Sequence, residues 1–323
     1  MPELSRILAA LDSAAGQPAA LATLVKVEGS SYRRPGARLL LLPDGTRLGS
    51  ISGGCLEEDI LERARRVLVS GQSELAVYDT TAENDLVWGV GLGCQGVVRI
   101  FIEQIPARRP DWIASLQANL PARRETPLQV DYAGPAPQGT RLAGSTTPGS
   151  SGFLEIIPAP PALIICGAGD DAQPLARLAK ECGWHVTVAD ARGAYATADR
   201  FPDADRIIVA PLADIAASLY LDARTFAVVM THRYVDDREF LRALLPLDFA
   251  YLGQLGPRQR TDRLLAELSP TSDQLTKLHA PVGLDLGGST PETVALAILA
   301  EMQARLAGHT PGFLRDRPGP IHG

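Results

Sequence analysis

Two cysteines and one serine-arginine run carry the most legible chemistry in this chain. Cys55 follows Gly53 and Gly54 and precedes Leu56-Glu57-Glu58, where an amphipathic helix begins. Glycines open backbone angles closed to other residues and let a ligand approach the main chain. A thiol before a helix feels the positive end of its dipole, which favours the thiolate, the form that attacks and binds soft metals. Glu57, Glu58 and Asp59 in the first turn oppose a second anion there, so Cys55 reads as moderately activated. The alternative is that Ser52 caps the helix and Cys55 is a small buried hydrophobe. A second loop, Trp88-Gly89-Val90-Gly91-Leu92-Gly93-Cys94-Gln95-Gly96, repeats the glycine-cysteine pattern. A third carries Ser30, Ser31, Arg33 and Arg34 between Gly29 and Gly36. Glycine amides and charge-assisted donors on serine and arginine suit an oxyanion. Each loop alone is explained by chain reversal; three in one hundred residues favour a shared anion-binding cleft.

The elements that must position these loops read as follows. Leu4, Ile7, Leu8 and Leu11 share one face of a helix over 3–15. Strands are expected at 21–27, 38–42 and 46–48, the last two turned by Pro43-Asp44-Gly45. A helix runs from the Cys55 loop to about Ser70, then strands at 75–78 and 97–102. Residues 106–157 form an extension with a helix near 112–120 and strands near 128–132 and 153–157. The stretch 133–152, rich in Gly, Pro, Ser and Thr, reads as a hairpin or loop. Pro158-Ala159-Pro160-Pro161 is a stiff linker.

The 323 residues suggest two domains, 1–157 and 162–307, with a frayed tail at 308–323. A net charge of −6 argues against nucleic-acid binding, which needs a basic face. The four cysteines, Cys55, Cys94, Cys166 and Cys182, show no CxxC spacing, and Cys166 and Cys182 read as packing residues. No apolar run approaches the ~20 residues of a membrane span and no signal pattern opens the chain, so a cytoplasmic protein is expected. All five histidines lie at or beyond His185, which leaves the first half without a histidine base or ligand.

The second half alternates strands (163–166, 186–189, 206–209, 227–230, 249–252) with helices (173–182, 213–219, 237–244). This implies a parallel sheet covered on both faces. Its first strand ends in Gly167-Ala168-Gly169-Asp170-Asp171-Ala172, a G-x-G-x-x-A match, and Asp190 ends the next strand, where an acid would hold a ribose hydroxyl. Asp170 and Asp171 stand where a pyrophosphate would sit and repel it. Three loops at later strand ends, Thr231-His232-Arg233, Gly253 to Arg258 and Pro281 to Asp285, are further candidates. His232 is the histidine best placed for chemistry, and Arg258 with Arg260 is a candidate phosphate grip. His279-Ala280-Pro281 reads as a turn whose histidine is satisfied by the backbone. A last helix opens at Thr290-Pro291-Glu292 and runs to about Leu306.

Several stretches, in order, carry a family resemblance: Gly29 to Ala37, Gly49 to Glu57, Gly91 to Cys94, Gly167-Ala168-Gly169, Gly253 to Gly256, His279 to Asp285 and Thr290-Pro291-Glu292. Together they resemble the XdhC/CoxI family of molybdenum-cofactor maturation chaperones over nearly the whole chain. Departures are Asp170, where the family more often shows histidine, and the loop Thr231-His232-Arg233. The resemblance implies a small N-terminal mixed α/β domain, a C-terminal Rossmann-like doubly wound sheet and a homodimer. It implies a molybdopterin-type cofactor, sulfurated together with a cysteine desulfurase and delivered to a xanthine dehydrogenase-type molybdoenzyme. Carried over by position, Cys55 and Cys94 match its glycine-cysteine loops, with Cys55 as a candidate molybdenum contact. Ser31, Arg33 and Arg34 match its serine-arginine loop. The expected cofactor-binding set is Ser30, Ser31, Arg33, Arg34, Gly53, Gly54, Gly93, Gly167, Gly169, Asp190, His232 and Arg258. Two other functions remain open: an NAD(P)-dependent oxidoreductase using the second domain, and an interaction module that has lost its ligand.

Overall fold

The computed structural model describes residues 2–54, 56–79, 96–134, 138–144 and 152–318; Cys55, Gly93 and Cys94 lie outside them. The chain divides into two compact units that meet at Ala159/Pro160 in the sequence.

The first unit begins with α1 (Pro2–Ser13), β1 (Ala19–Gly29), β2 (Arg38–Leu41), β3 (Arg47–Gly49), α2 (Glu57–Ser70), β4 (Glu74–Asp79) and β5 (Gly96–Ile105). The strands form one antiparallel sheet in the order β3-β2-β1-β5-β4. β1 is central and covered on both faces, and its side chains alternate between two cores. Ala20, Ala22 and Leu24 meet Ile60, Leu61, Ala64 and Val67 of α2. Ala19 and Leu21 meet Leu4, Ile7, Leu8 and Leu11 of α1, with Trp112, Ile113 and Leu116 of α3 (Asp111–Asn119). β6 (Thr126–Asp131), β7 (Gly139–Leu142) and β8 (Gly152–Ile157) form a small antiparallel sheet in the order β7-β6-β8. Glu155 of β8 pairs with the buried Arg38 at 2.6 Å, tying this extension to β2.

The second unit contains β9 (Ala162–Cys166), α4 (Ala172–Glu181), β10 (His185–Asp190), β11 (Arg206–Val209), α5 (Leu212–Ser218), β12 (Thr225–Val229), α6 (Tyr234–Leu244), β13 (Tyr251–Gln254), α7 (Arg258–Leu268), α8 (Ser272–Leu275), β14 (Leu278–His279) and α9 (Pro291–Ala307). Its six strands are all parallel, in the order β11-β10-β9-β12-β13-β14. The order reverses between β9 and β12, the switch point where ligands enter such sheets. Leu163 and Ile165 of β9 face the core under α4 and α9, while Ile164 and Cys166 face the core under α6. Burial raises the Cys166 thiol far above its usual range, which leaves it an inert packing group.

Three local expectations are corrected. Gly253 and Gln254 belong to β13, because Gly253 pairs with Val228 and His279 in the ladder. His279 is an edge-strand residue whose ring stacks on Tyr251 at 4.2 Å and whose Nδ1 meets the Glu301 carboxylate at 2.7 Å, so a side chain satisfies it. Cys182 is exposed at the end of α4, while Cys166 is buried.

Candidate functional site

Antiparallel pairing brings the loop ends of the first unit together. β1, β3 and β4 end at Gly29, Gly49 and Asp79, while β2 and β5 begin at Arg38 and Gly96. The registers Gly29↔Gly96 and Asp79↔Val97 align the ends of β1, β4 and β5, while Arg38 and Gly49 lie further back along β1, level with Thr23 and Ala22. Two contacts tighten the cluster. A side chain on Gly96 would lie 2.4 Å from the Ser30 carbonyl oxygen, and one on Gly53 would lie 3.0 Å from the Tyr32 ring. The Ser30–Gly36 loop therefore touches both the start of β5 and the Gly53 turn.

At the Gly49–Gly54 loop the chain supplies its own anion. The Glu57 carboxylate accepts from the amides of Ile51 (3.1 Å), Ser52 (2.8 Å) and Gly54 (2.7 Å) and from the Ser50 hydroxyl (3.0 Å); the Ser52 hydroxyl donates to it as well. Burial alone would raise this carboxyl, but the bonds from Ser52, Ser50 and Ile51 outweigh that cost and lower it from 4.5 to about 2. Ser52 also accepts from the Leu56 amide at 2.9 Å, while Leu56 itself occupies the cap position of α2. The loop is thus an oxyanion cradle built before any ligand arrives, with a glutamate as its tenant. Gly49 fixes the entry to this loop: its φ is +88°, and a Cβ there would stand 2.1 Å from the Arg38 carbonyl oxygen.

The paired arginines have separate fates. Arg33 forms a two-pronged pair with Glu3 of α1, at 2.8 and 3.2 Å. Arg34 is exposed, and its guanidinium makes no ion pair or hydrogen bond among the described residues. The side chains of Ser30 and Ser31 are likewise without partners among those residues. Among the described residues of this loop, Arg34, Ser30 and Ser31 therefore keep their side-chain donors open.

In the second unit the expected residues form two groups. Gly167 follows β9 with φ +119°, and a Cβ there would stand 2.7 Å from the Met230 carbonyl oxygen. Asp190, buried at the end of β10, accepts from the Ala168 amide (2.8 Å) and from the Arg192 amide, Nε and guanidinium (2.8, 2.9 and 2.7 Å). Burial would raise its carboxyl, but these bonds prevail and hold it below the usual range. Arg200 pairs with Asp170 at 2.9 Å. Next to them, His232 Nε2 meets Asp171 Oδ2 at 2.7 Å beside Gly169. Arg258 is exposed at the start of α7, and Arg260 reaches inward, paired with the wholly buried Asp237. Asp237 also accepts from the Thr231 amide and hydroxyl (3.1 and 2.5 Å). Glu57 and Asp237 organise the two sites, and neither was singled out as a site residue from the sequence. Their only signal is an acid in the first turn of a helix, which many surface helices share. Among the described residues, no group of three or more His, Cys, Asp or Glu side chains could hold a metal ion. No helix among them is long and apolar enough to cross a membrane.

Comparison with known proteins agrees with this architecture. Residues 163–302 match the XdhC Rossmann domain, and residues 13–79 match the XdhC and CoxI family. A relative from Bacillus subtilis, named as a probable xanthine dehydrogenase subunit, is 33% identical over 312 residues, covering 88% of this chain and 92% of its own. The molybdenum cofactor insertion chaperone PaoD of Escherichia coli is 26% identical, covering 89% of this chain and 83% of its own. A crystal structure of a xanthine dehydrogenase from Bacillus halodurans superposes with a TM-score of 0.80 at 31% identity, covering 98% of this chain and 97% of that one. With both halves matched and a relative of this identity aligned along most of its length, the chain belongs to the XdhC and CoxI family.

Proposed function

We propose that this chain is a molybdenum-cofactor maturation chaperone, holding a molybdopterin-type cofactor as cargo at the loop end of its first unit. The observation that carries this reading is that the Ser30–Gly36 loop meets both Gly96, where β5 begins after residues 80–95, and the Gly53 turn of the Gly49–Gly54 loop. Kinship with a chaperone named for molybdenum cofactor insertion supports the cargo, and kinship with a protein named for xanthine dehydrogenase supports a recipient of that type.

The cargo's chemistry fits the donors present. Its phosphate suits Arg34, Ser30 and Ser31, which are uncommitted among the described residues, and the neighbouring Glu57 cradle is a loop of this kind already wrapped around an oxyanion. Its soft metal suits thiolate, which Cys55 and Cys94 supply from the two glycine loops. Arg33, held by Glu3, fixes the serine-arginine loop against α1. Gly53 packs under Tyr32 and joins two of the loops. In this reading a cysteine desulfurase provides the sulfur, and a homodimer makes the delivery to a xanthine dehydrogenase-type enzyme.

Titrating the purified chain with molybdopterin, followed by pterin fluorescence, tests the reading. Arg34→Ala is expected to weaken binding about tenfold, one charge-assisted contact, with stability changed by less than about 0.5 kcal/mol. Cys55→Ala is expected to weaken binding of the metal-loaded cofactor more than that of the metal-free pterin. Affinity unchanged in both variants would remove this site.

A further inference from the structure

A cavity of about 570 Å³ opens at the carboxyl ends of β9, β12 and β13 in the second unit, a size usual for small-molecule sites. Asp170 (paired with Arg200), Asp171, His232, Arg260 and Ser289 supply its polar wall, and Leu255 and Val294 part of its apolar wall. Its construction differs from that of an ordinary surface cleft. His232 is held at φ +61°, a left-handed conformation uncommon outside glycine, and its ring is fixed by Asp171 at 2.7 Å. Gly169 lies directly behind this pair, and a Cβ there would stand 2.8 Å from Asp171 Oδ1. Arg260 is anchored from below by the fully buried Asp237.

The unpartnered atoms point the same way. Seven buried side-chain atoms lack a hydrogen-bond partner among the described residues, and two of them, Asp171 Oδ1 and Arg260 Nε, belong to residues that line this cavity. Folded proteins leave few such atoms, so two on residues that line one cavity mark a place where a ligand or ordered water can complete the bonding. The N-termini of α7 and α9 also border the cavity, through Gly256-Pro257 and Ser289-Pro291, and favour an anionic group there.

The neighbouring half of the crevice is filled by the chain itself. All the polar reach of Asp190, the residue that would hold the first ribose of a dinucleotide, is spent on Arg192 and the Ala168 amide. Arg200 closes over the glycine turn by binding Asp170 and the Ala168 carbonyl. We propose that the open half takes a nucleoside monophosphate and excludes a dinucleotide. Asp171, oriented by His232, accepts from the ribose hydroxyls; Arg260 and Ser289 take the phosphate; Leu255 and Val294 take a face of the base. The residues that line the site all belong to the second unit.

Calorimetric titration of the full chain with AMP, GMP, CMP, UMP, NAD⁺ and inorganic phosphate tests this assignment. At least one monophosphate is expected to bind with a dissociation constant below about 1 mM, roughly tenfold or more tighter than NAD⁺ or phosphate. Asp171→Asn is expected to weaken it at least about tenfold and the exposed Ser289→Ala about threefold, with molybdopterin binding unchanged in both. Should Asp171→Asn fail to fold, Ser289→Ala decides alone. No binding of any monophosphate at that concentration, NAD⁺ binding as tightly, or an affinity untouched by the substitutions would overturn the assignment.

Discussion

Replacing Glu57 with glutamine isolates the contribution of the loop cradle. The carboxylate accepts three main-chain amides and two hydroxyls, and its carboxyl is lowered from 4.5 to about 2. That displacement corresponds to roughly 3 kcal/mol at 1.36 kcal/mol per pH unit, and partial exposure reduces it to about 1.5 kcal/mol. The folded state binds the proton less tightly than the unfolded chain does. The stabilisation is therefore complete above pH 4.5 and is lost as the pH falls towards 2. Urea denaturation of both proteins at pH 7 should give Glu57→Gln a deficit of about 1.5 kcal/mol. At about pH 3 less than half of that deficit should remain, because the wild-type carboxyl is losing its charge advantage. A deficit that is absent at pH 7, or that persists undiminished in acid, would refute the idea that an ionised tenant holds the loop.

Two further substitutions probe the supports of the sites. Asp237→Asn should cost about 3 kcal/mol in urea denaturation, since it leaves Arg260 without its buried partner; a loss under about 1 kcal/mol would show that the pair does not hold the cavity floor. Gly49→Ala should cost at least about 2 kcal/mol, from φ +88° together with the approach to the Arg38 carbonyl, and thermal unfolding would reveal it; an unchanged melting temperature would mean the loop relaxes freely.

The regular architecture was legible because its signals are local. Valine- and isoleucine-rich runs in the second half alternate with amphipathic helices, and each expected strand there lies within two residues of an observed start. Thr290 and Pro291 marked the start of α9, and the structure places a capping box there. The short β7 and β14 were missed as strands because four- and two-residue segments carry too little periodicity. The sites were harder to read because their decisive contacts join distant residues. Arg33 finds Glu3 thirty positions away, so a candidate anion donor becomes part of the scaffold. Asp190 looked like a ribose ligand, and only the folded chain reveals that Arg192 curls back onto it. Glu57 looked like a helix-dipole acid, yet the loop wraps around it. The meeting of the loops depends on antiparallel pairing between β1, β4 and β5, which spacing along the chain does not encode.

The central claim is that the first unit carries a molybdenum-bearing pterin as cargo. Molybdenum analysis and pterin fluorescence of the full chain, purified from cells that make the cofactor, test it most directly. Metal and pterin are predicted in equal amounts, approaching one of each per chain, with both falling together in Arg34→Ala. Chain that emerges free of both from such cells, or that keeps its full load in Arg34→Ala and Cys55→Ala alike, would contradict it.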